Sequence, residues 1–298
     1  MRPRRVLPGR KYLITRAVVR RMFLFRPDKD LNQLFTYCLA VVAAKHNITT
    51  HAACLMSNHL HLVVTDNCGV LPLFLRDLHR SIANATKVLR GMDGSVFDSR
   101  EPNVTELVTP AAVIEKVAYV LNNPVEAGAV KFNKDWPGVL LRPGTRVRGR
   151  RPDFYFGKHG IDWPESMDLV VDWPAFDDTT PAETQRWLEE EERLGHRAAV
   201  QRVADNGWRF LGPKRVLRRS PFDRATGYRE FGQRNPTFAV GRRNRQAFLD
   251  AVASLREFRR RYRQALTRWK AGISGVPFPS GTWWMRIFHG AVTEAVLG

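Results

Sequence analysis

The sequence contains little cysteine. Cys38, Cys54 and Cys68 are the three thiols in 298 residues, and no two of them form a Cys-x-x-Cys motif. This usage argues against a disulfide framework and against a structural zinc site, and it fits a reducing compartment. We therefore expect the chain to fold around an apolar core, which its 44% of apolar residues can supply.

Long uncharged apolar runs are also missing. None approaches the roughly 20 residues that are needed to span a bilayer. The apolar stretch near the N-terminus is interrupted by Arg16, Arg20 and Arg21, which argues against a signal peptide. We expect a cytoplasmic protein that is associated with the nucleoid and has no membrane partner.

Acidic residues are scarce relative to basic ones. The chain has 48 Lys and Arg against 29 Asp and Glu, and its formal net charge is +19. A surplus of this size favours a polyanionic partner, with DNA or RNA first and an anionic membrane surface second. Charge alone does not identify the partner, because Arg-rich proteins are common in GC-rich genomes.

The order of periodic segments predicts an α+β fold. Strands are predicted at 11–19, 48–56, 59–66 and 103–109. Helices are predicted at 28–46, at 71–90 and from Thr109-Pro110 to near Asn123, where the following proline disfavours the α conformation. This order predicts helices packed on a mostly antiparallel sheet.

The second half of the chain has a different composition. We predict a first domain at 1–140, a basic linker at 141–154, and a mostly helical, basic extension at 155–298, with helices at 181–205 and 242–271. The last of these helices, together with Trp269 and Trp283-Trp284, would add phosphate contacts and base stacking. The alternative is a helix with a structural role alone.

The most informative stretch is 57–64, which sets His59 and His61 one residue apart in a strongly β-prone segment. Side chains alternate along a strand, so the two histidines share one face, and Leu60 and Leu62 take the other. We expect the imidazoles about 7 Å apart on an open face, close enough to bind one divalent ion. The alternative is a half-exposed strand whose histidines bind nothing.

Among six tyrosines, Tyr119 is the best placed for chemistry, because Asn123 lies one helical turn further along the same face. A tyrosine can attack phosphorus and become covalently linked to the new DNA end. The Asn123 oxygen would be a third metal ligand, and an oxygen beside two histidines suits Mg²⁺ or Mn²⁺. The alternative is a core aromatic on a helix that Asn123 merely ends.

The predicted helix 71–90 has one apolar face and one basic face. The residues on or near the basic face, predicted to bind DNA, are Arg76, His79, Arg80, Lys87 and Arg90. An ordinary solvated helix face is the alternative.

Two motifs in order resemble the single-tyrosine HUH transposases, most of all the REP-associated tyrosine transposase branch. They are His59-Leu60-His61 in the stretch 55–64 and Tyr-x-x-x-Asn-Pro-Val-x-Ala-Gly at 119–128. The resemblance covers roughly residues 8–140. It implies a ferredoxin-like HUH domain, metal ligation by His59, His61 and Asn123, and a 5′-phosphotyrosine bond at Tyr119. The loop 94–100 departs from the aromatic-rich segment of that family, which leaves the DNA target open.

These observations predict a metal-dependent transposase or endonuclease that acts on single-stranded or hairpin DNA, as a monomer or a homodimer. The second hypothesis is a domesticated, non-catalytic protein that recognises hairpin repeats. A metallohydrolase without a covalent intermediate is disfavoured, because no Asp-His pair continues the histidine motif.

Overall fold

A computed structural model describes residues 3–156, 163–226, 236–242 and 244–295. The strands are β1 (Arg10–Ala17), β2 (Ile48–Met56), β3 (His59–Asp66), β4 (Asn103–Leu107), β5 (Leu140–Leu141), β6 (Thr145–Arg150), β7 (Ser166–Val171) and β8 (Phe238–Ala239). The helices are α1 (Lys29–Lys45), α2 (Leu71–Arg90), α3 (Pro110–Glu126), α4 (Pro181–Asp205), α5 (Pro213–Arg218), α6 (Arg245–Lys270) and α7 (Trp283–His289).

The described strands form one mostly antiparallel sheet in the order β6-β7-β2-β3-β1-β4-β8, with β5 also paired to β2. Its centre, β2-β3-β1-β4, is connected in the chain order β-α-β-β-α-β, which is the ferredoxin-like arrangement. The predicted α+β class, with helices on a mostly antiparallel sheet, is confirmed.

The two faces of this sheet are covered by different helices. On one face, α1 and α2 pack over alternate residues of the central strands, including Leu60 and Leu62 of β3. On the other face, α3 packs over the opposite set, which includes Val63. Helix α4 packs in turn on α3, so that α3 lies between the sheet and α4. The face predicted to be open is therefore covered.

Side-chain caps begin two of the helices at their predicted starts. The Asp28 carboxylate accepts a hydrogen bond of 2.9 Å from the backbone N–H of Leu31 at the start of α1, and Thr109 caps α3 in the same way. The prediction that α3 ends near Asn123 is wrong. A proline removes one helical hydrogen bond, but fully buried Val125 and the Ala127 N–H, which donates to the Asn123 carbonyl, keep the last turn helical.

Strand β6 lies inside the segment predicted as a basic linker, 141–154. It pairs along its length with β7 and packs on α1. The approach is close, because a Cβ at Gly149 would lie 2.7 Å from Cα of Tyr37. Residues beyond 140 therefore extend the sheet. The division of the chain into domains stays a prediction.

In the C-terminal part, α4 and α6 occupy the two predicted helical segments. Helices α6 and α7 contribute to a small apolar cluster around Phe278. Trp283 is 8% exposed and packs against the main core, whereas Trp284 is 57% exposed and contacts Phe288. None of the helices in the described residues has the length and the apolar character that are needed to cross a membrane.

Candidate functional site

The candidate site lies between β3 and α3. His61 is central in the sheet, with Thr15 of β1 and Cys54 of β2 as its neighbours across the strands. His59 begins β3, directly after the turn from β2. Because strand side chains alternate, both imidazoles point to the face that α3 covers.

The ring centroids of His59 and His61 are 4.6 Å apart, nearer than the expected 7 Å, and the rings meet edge to face. Nδ1 of His59 lies 2.7 Å from Oδ1 of Asn58, and its Nε2 lies 3.2 Å from Oδ1 of Asn123. Nδ1 of His61 lies 2.9 Å from the Thr15 hydroxyl. The two predicted histidines and the predicted amide are therefore brought together.

Burial decides the charge of the two rings. Burial lowers the pKa of His59 to about 4; Arg21 lowers it further, while the Asn123 side chain acts in the opposite direction. Burial and the neighbouring His59 hold the pKa of His61 well below its usual value. Both imidazoles are therefore neutral at pH 7, which is the form that ligates metals.

The hydrogen bonds of His59 select its tautomer. The Asn58 oxygen can only accept, so Nδ1 of His59 carries the proton and Nε2 presents a lone pair. That lone pair faces a second acceptor, Oδ1 of Asn123, at 3.2 Å. Nε2 of His61 is buried and has no hydrogen-bond partner. Two acceptor atoms that face each other, beside a buried imidazole nitrogen without a partner, make a suitable setting for a cation.

The spacing of two of these ligand atoms is compatible with a divalent ion. Ligands at right angles around Mg²⁺, each about 2.1 Å from it, lie about 3 Å from one another, close to the 3.2 Å between His59 and Asn123. The set contains two imidazoles and an amide. Within the described ranges, no cluster of three or more His, Cys, Asp or Glu side chains could hold a metal.

Tyr119 lies beside this group. Its ring centroid is 5.3 Å from that of His61, at a steep angle. Burial and the Glu126 charge raise the pKa of Tyr119 to about 12, while a hydrogen bond with Asn123 lowers it. The Lys116 ammonium lies 5.6 Å from the Tyr119 ring centroid. The phenol is therefore protonated at neutral pH and needs a further cation to ionise readily.

The residues predicted to bind DNA do not join this site, because α2 lies on the opposite face of the sheet. Arg76 and Arg80 are exposed on α2, and Lys87 is half-buried. Arg90 is enclosed, with only 6% of its side chain exposed, and its guanidinium donates to Asp28 and to two backbone carbonyls. The His79 ring packs against Phe97, and burial lowers its pKa to about 3.

Two arginines that the sequence analysis did not assign to the site lie near it. Arg20 and Arg21 follow β1 and have φ of 50° and 57°, a left-handed conformation that is uncommon for arginine. Backbone hydrogen bonds tie both ends of this segment to the turn before His59, from Val18 N–H to Asn58 and from Phe25 N–H to Ser57. We name residues 18–25 the arginine loop. Its backbone conformation has no signal in sequence periodicity.

No family model matches the chain, and no curated protein matches it. Two similar solved structures are a REP-associated tyrosine transposase bound to a REP hairpin and a candidate transposase from Deinococcus radiodurans R1. The first is 19% identical, covers 45% of this chain and 78% of its own, and has a TM-score of 0.39. The second is 16% identical, covers 33% and 78%, and has a TM-score of 0.28. A function for this chain therefore rests on its own residues.

Proposed function

We propose that this protein is a metal-dependent tyrosine transposase or endonuclease that cleaves and rejoins single-stranded or hairpin-flanked DNA. One observation carries the proposal: two strand histidines, a helix amide and a tyrosine, distant in sequence, meet in one place. His59 and His61 lie next to each other, Asn123 lies 3.2 Å from His59, and the Tyr119 ring packs on His61.

In the proposed reaction, the Tyr119 oxygen attacks a backbone phosphorus. A bond forms between the phenol oxygen and phosphorus, and the bond from phosphorus to the 3′ oxygen of the preceding nucleotide breaks. The proton leaves Tyr119 and ends on the released 3′-hydroxyl. The product is a 5′-phosphotyrosine, and attack by a 3′-hydroxyl reverses the step without an external energy source.

His59, His61 and Asn123 would hold Mg²⁺ or Mn²⁺ beside Tyr119. A bound divalent ion supplies positive charge that polarises the phosphoryl oxygen and makes an adjacent phenolate accessible. This positive charge would lower the pKa of Tyr119, which burial raises. Thr15 and Asn58 orient the two imidazoles through their Nδ1 atoms and leave both Nε2 atoms for the ion.

The arginine loop would bind the DNA backbone on either side of the cleaved bond. Its backbone is fastened at both ends to the turn that precedes His59, and Arg20 is exposed. A guanidinium in this position offers a planar set of donors that matches phosphate oxygens. Two consecutive left-handed residues cost free energy, and such strain is typical of functional sites.

The test is the covalent adduct. The wild-type protein, incubated with labelled single-stranded DNA and Mn²⁺, should form a denaturation-resistant adduct that maps to Tyr119. Tyr119→Phe should lose the adduct and keep DNA binding. Tyr262→Phe, which alters a tyrosine in the separate C-terminal cluster, should behave as wild type. An adduct that survives in Tyr119→Phe would refute the proposal.

A second candidate, a DNA-binding protein that no longer cleaves, is favoured by the pKa of Tyr119, raised to about 12. It predicts that the wild type binds hairpin DNA but forms no adduct at any Mn²⁺ concentration. In that case Tyr119→Phe would leave both hairpin binding and the cellular phenotype unchanged.

A further inference from the structure

Phe132 and His196 form a flat aromatic pair near the end of α3. Their ring centroids are 5.8 Å apart and their planes differ by only 11°, which is a stacked arrangement. His196 is held in place because its Nε2 donates to the Lys131 carbonyl over 2.9 Å. Phe132 is 44% exposed. An exposed phenyl ring backed by an anchored imidazole presents a rigid π-face to solvent.

Positive charge flanks this pair. The ammonium groups of Lys131 and Lys134 lie 5.6 Å and 5.8 Å from the Phe132 ring centroid. Two carboxylates are near in the chain or in space: Asp135 is exposed, whereas Glu192 is engaged by Arg142 and Asn133. Two lysine ammonium groups therefore lie over the ring, and one exposed carboxylate follows Lys134 in the chain.

We propose that Phe132 and His196 form a stacking platform for one unpaired base of single-stranded DNA, with Lys131 and Lys134 on the flanking phosphates. Every base has a π-face, so an exposed aromatic ring binds bases with little sequence preference, and adjacent cations follow the backbone. A stretch of double-stranded DNA does not fit this role, because its bases are already stacked on each other.

The platform is mechanically connected to the candidate site. Asn133, next to Phe132, donates to the side-chain oxygen of Asn122, whose neighbour in α3 is the proposed ligand Asn123. Asn122 in turn donates to the Glu192 carbonyl of α4, the helix that carries His196. These hydrogen bonds link the segment that carries Phe132 to α3, which carries Tyr119 and Asn123, and link α3 to α4, which carries His196.

The chain after the platform also leads toward the histidines. From Phe132 it continues to Val139, whose carbonyl accepts from the Leu55 N–H of β2, and the next residue, Met56, pairs with His59. Val130 and Trp136, on either side of Phe132 in the chain, belong to the apolar cluster on the α3 side of the sheet. The inference goes beyond the proposed cleavage, and it is tested without any chemistry.

The experiment measures the affinity of the full chain for a short single-stranded DNA in EDTA, where no cleavage takes place. A 2-aminopurine base in the oligonucleotide should be quenched on binding. Phe132→Ala should weaken binding about tenfold, which corresponds to the loss of one stacked base. Phe132→Trp should restore binding, because it restores the ring. Phe248→Ala, at another exposed phenylalanine (49% exposed), is the matched control.

Two further measurements test the role of the lysines and the preference for DNA over RNA. Lys131→Gln combined with Lys134→Gln should reduce the dependence of affinity on salt, because fewer counterions are released. The platform is refuted by equal losses in Phe132→Ala and Phe248→Ala, by no loss in Phe132→Ala, or by tighter binding of an RNA of the same sequence. Since cleavage is read from the adduct at Tyr119, either proposal can fail while the other stands.

Discussion

Nε2 of His59 lies 3.2 Å from Oδ1 of Asn123, although the two residues are 64 positions apart in the sequence. Both atoms are hydrogen-bond acceptors when His59 is neutral and its Nδ1–H donates to the Asn58 side-chain oxygen. Two lone pairs held this close repel each other unless a cation lies beside them. This relationship makes metal binding the most direct property to test.

Mn²⁺ should stabilise the wild-type protein against thermal unfolding, and EDTA should reverse the effect. Binding at a hundredfold excess over Kd contributes about 2.7 kcal/mol to the free energy of unfolding. His61→Ala should lose this shift, because it removes the donor atom that has no other partner. His196→Ala, at a half-buried histidine of α4 that does not contact the site, should keep it. An equal shift in all three proteins would contradict the proposed ligands.

Arg90→Ala should destabilise the fold, whereas Arg80→Ala should not. The Arg90 side chain is enclosed and donates to Asp28 and to two carbonyls, so its loss removes three hydrogen bonds, at a cost of about 2–4 kcal/mol in the free energy of unfolding. Exposed Arg80 should change stability by less than about 0.5 kcal/mol. Urea denaturation measures both. If Arg90→Ala left the stability unchanged, Arg90 would have no structural role, and its predicted role in DNA binding would be favoured.

Gly149→Ala should destabilise the protein by about 1–3 kcal/mol, because overpacking forces the backbones apart. The added Cβ would lie 2.7 Å from Cα of Tyr37 in α1, and backbone atoms cannot swing aside as a side-chain end can. Arg148→Ala on the same strand is the control, since that side chain is 66% exposed. A single cooperative unfolding transition that shifts in Gly149→Ala would show that β6 belongs to the folding unit of α1.

Stability should fall between pH 6.5 and pH 4, in part through His51. This imidazole is bonded to the Asp172 carbonyl and the Thr65 hydroxyl, and burial together with Lys11 lowers its pKa to about 4. Below pH 6.5 His51 binds a proton in the unfolded chain but not in the folded chain. Its contribution to the free energy of unfolding is therefore complete above pH 6.5 and is lost toward pH 4.

Because of His51, the free energy of unfolding should be about 2 kcal/mol lower at pH 5 than at pH 7. The variant His51→Asn should therefore show a smaller difference in unfolding free energy between the two pH values, whatever its stability at pH 7. The other buried histidines titrate in both proteins and cancel in the comparison. An unchanged difference would mean that His51 is protonated in the folded state.

Much of the central fold could be predicted from the sequence, because it depends on local patterns. The period-two alternation in 59–66 predicted that His59 and His61 share a face, and the proline-led start of α3 predicted its first turn. The end of α3 could not be predicted in this way. Its last turn continues past Pro124 through the packing of Val125, and that packing is a tertiary contact.

The position of α2 shows a second kind of limit. Amphipathic spacing predicts which side of a helix faces solvent, but it does not predict which side of the sheet the helix covers. The basic residues of α2 were predicted to bind DNA, and the structure places them on the face of the sheet opposite the candidate site. The arginine loop and the stacked pair of Phe132 and His196 depend on backbone dihedrals and on α4 packing, which leave no periodic trace.

The burial of α3 on two sides has a consequence for the DNA-linked state that the proposed cleavage would form. Sheet and α4 together enclose the helix that carries Tyr119, and the Asn122 amide fastens it to the Glu192 carbonyl. A DNA end attached to Tyr119 could not be carried away by that helix alone, since departure would strip both apolar contacts and this hydrogen bond at once. Strand exchange would then have to bring the incoming 3′ end to a stationary linkage.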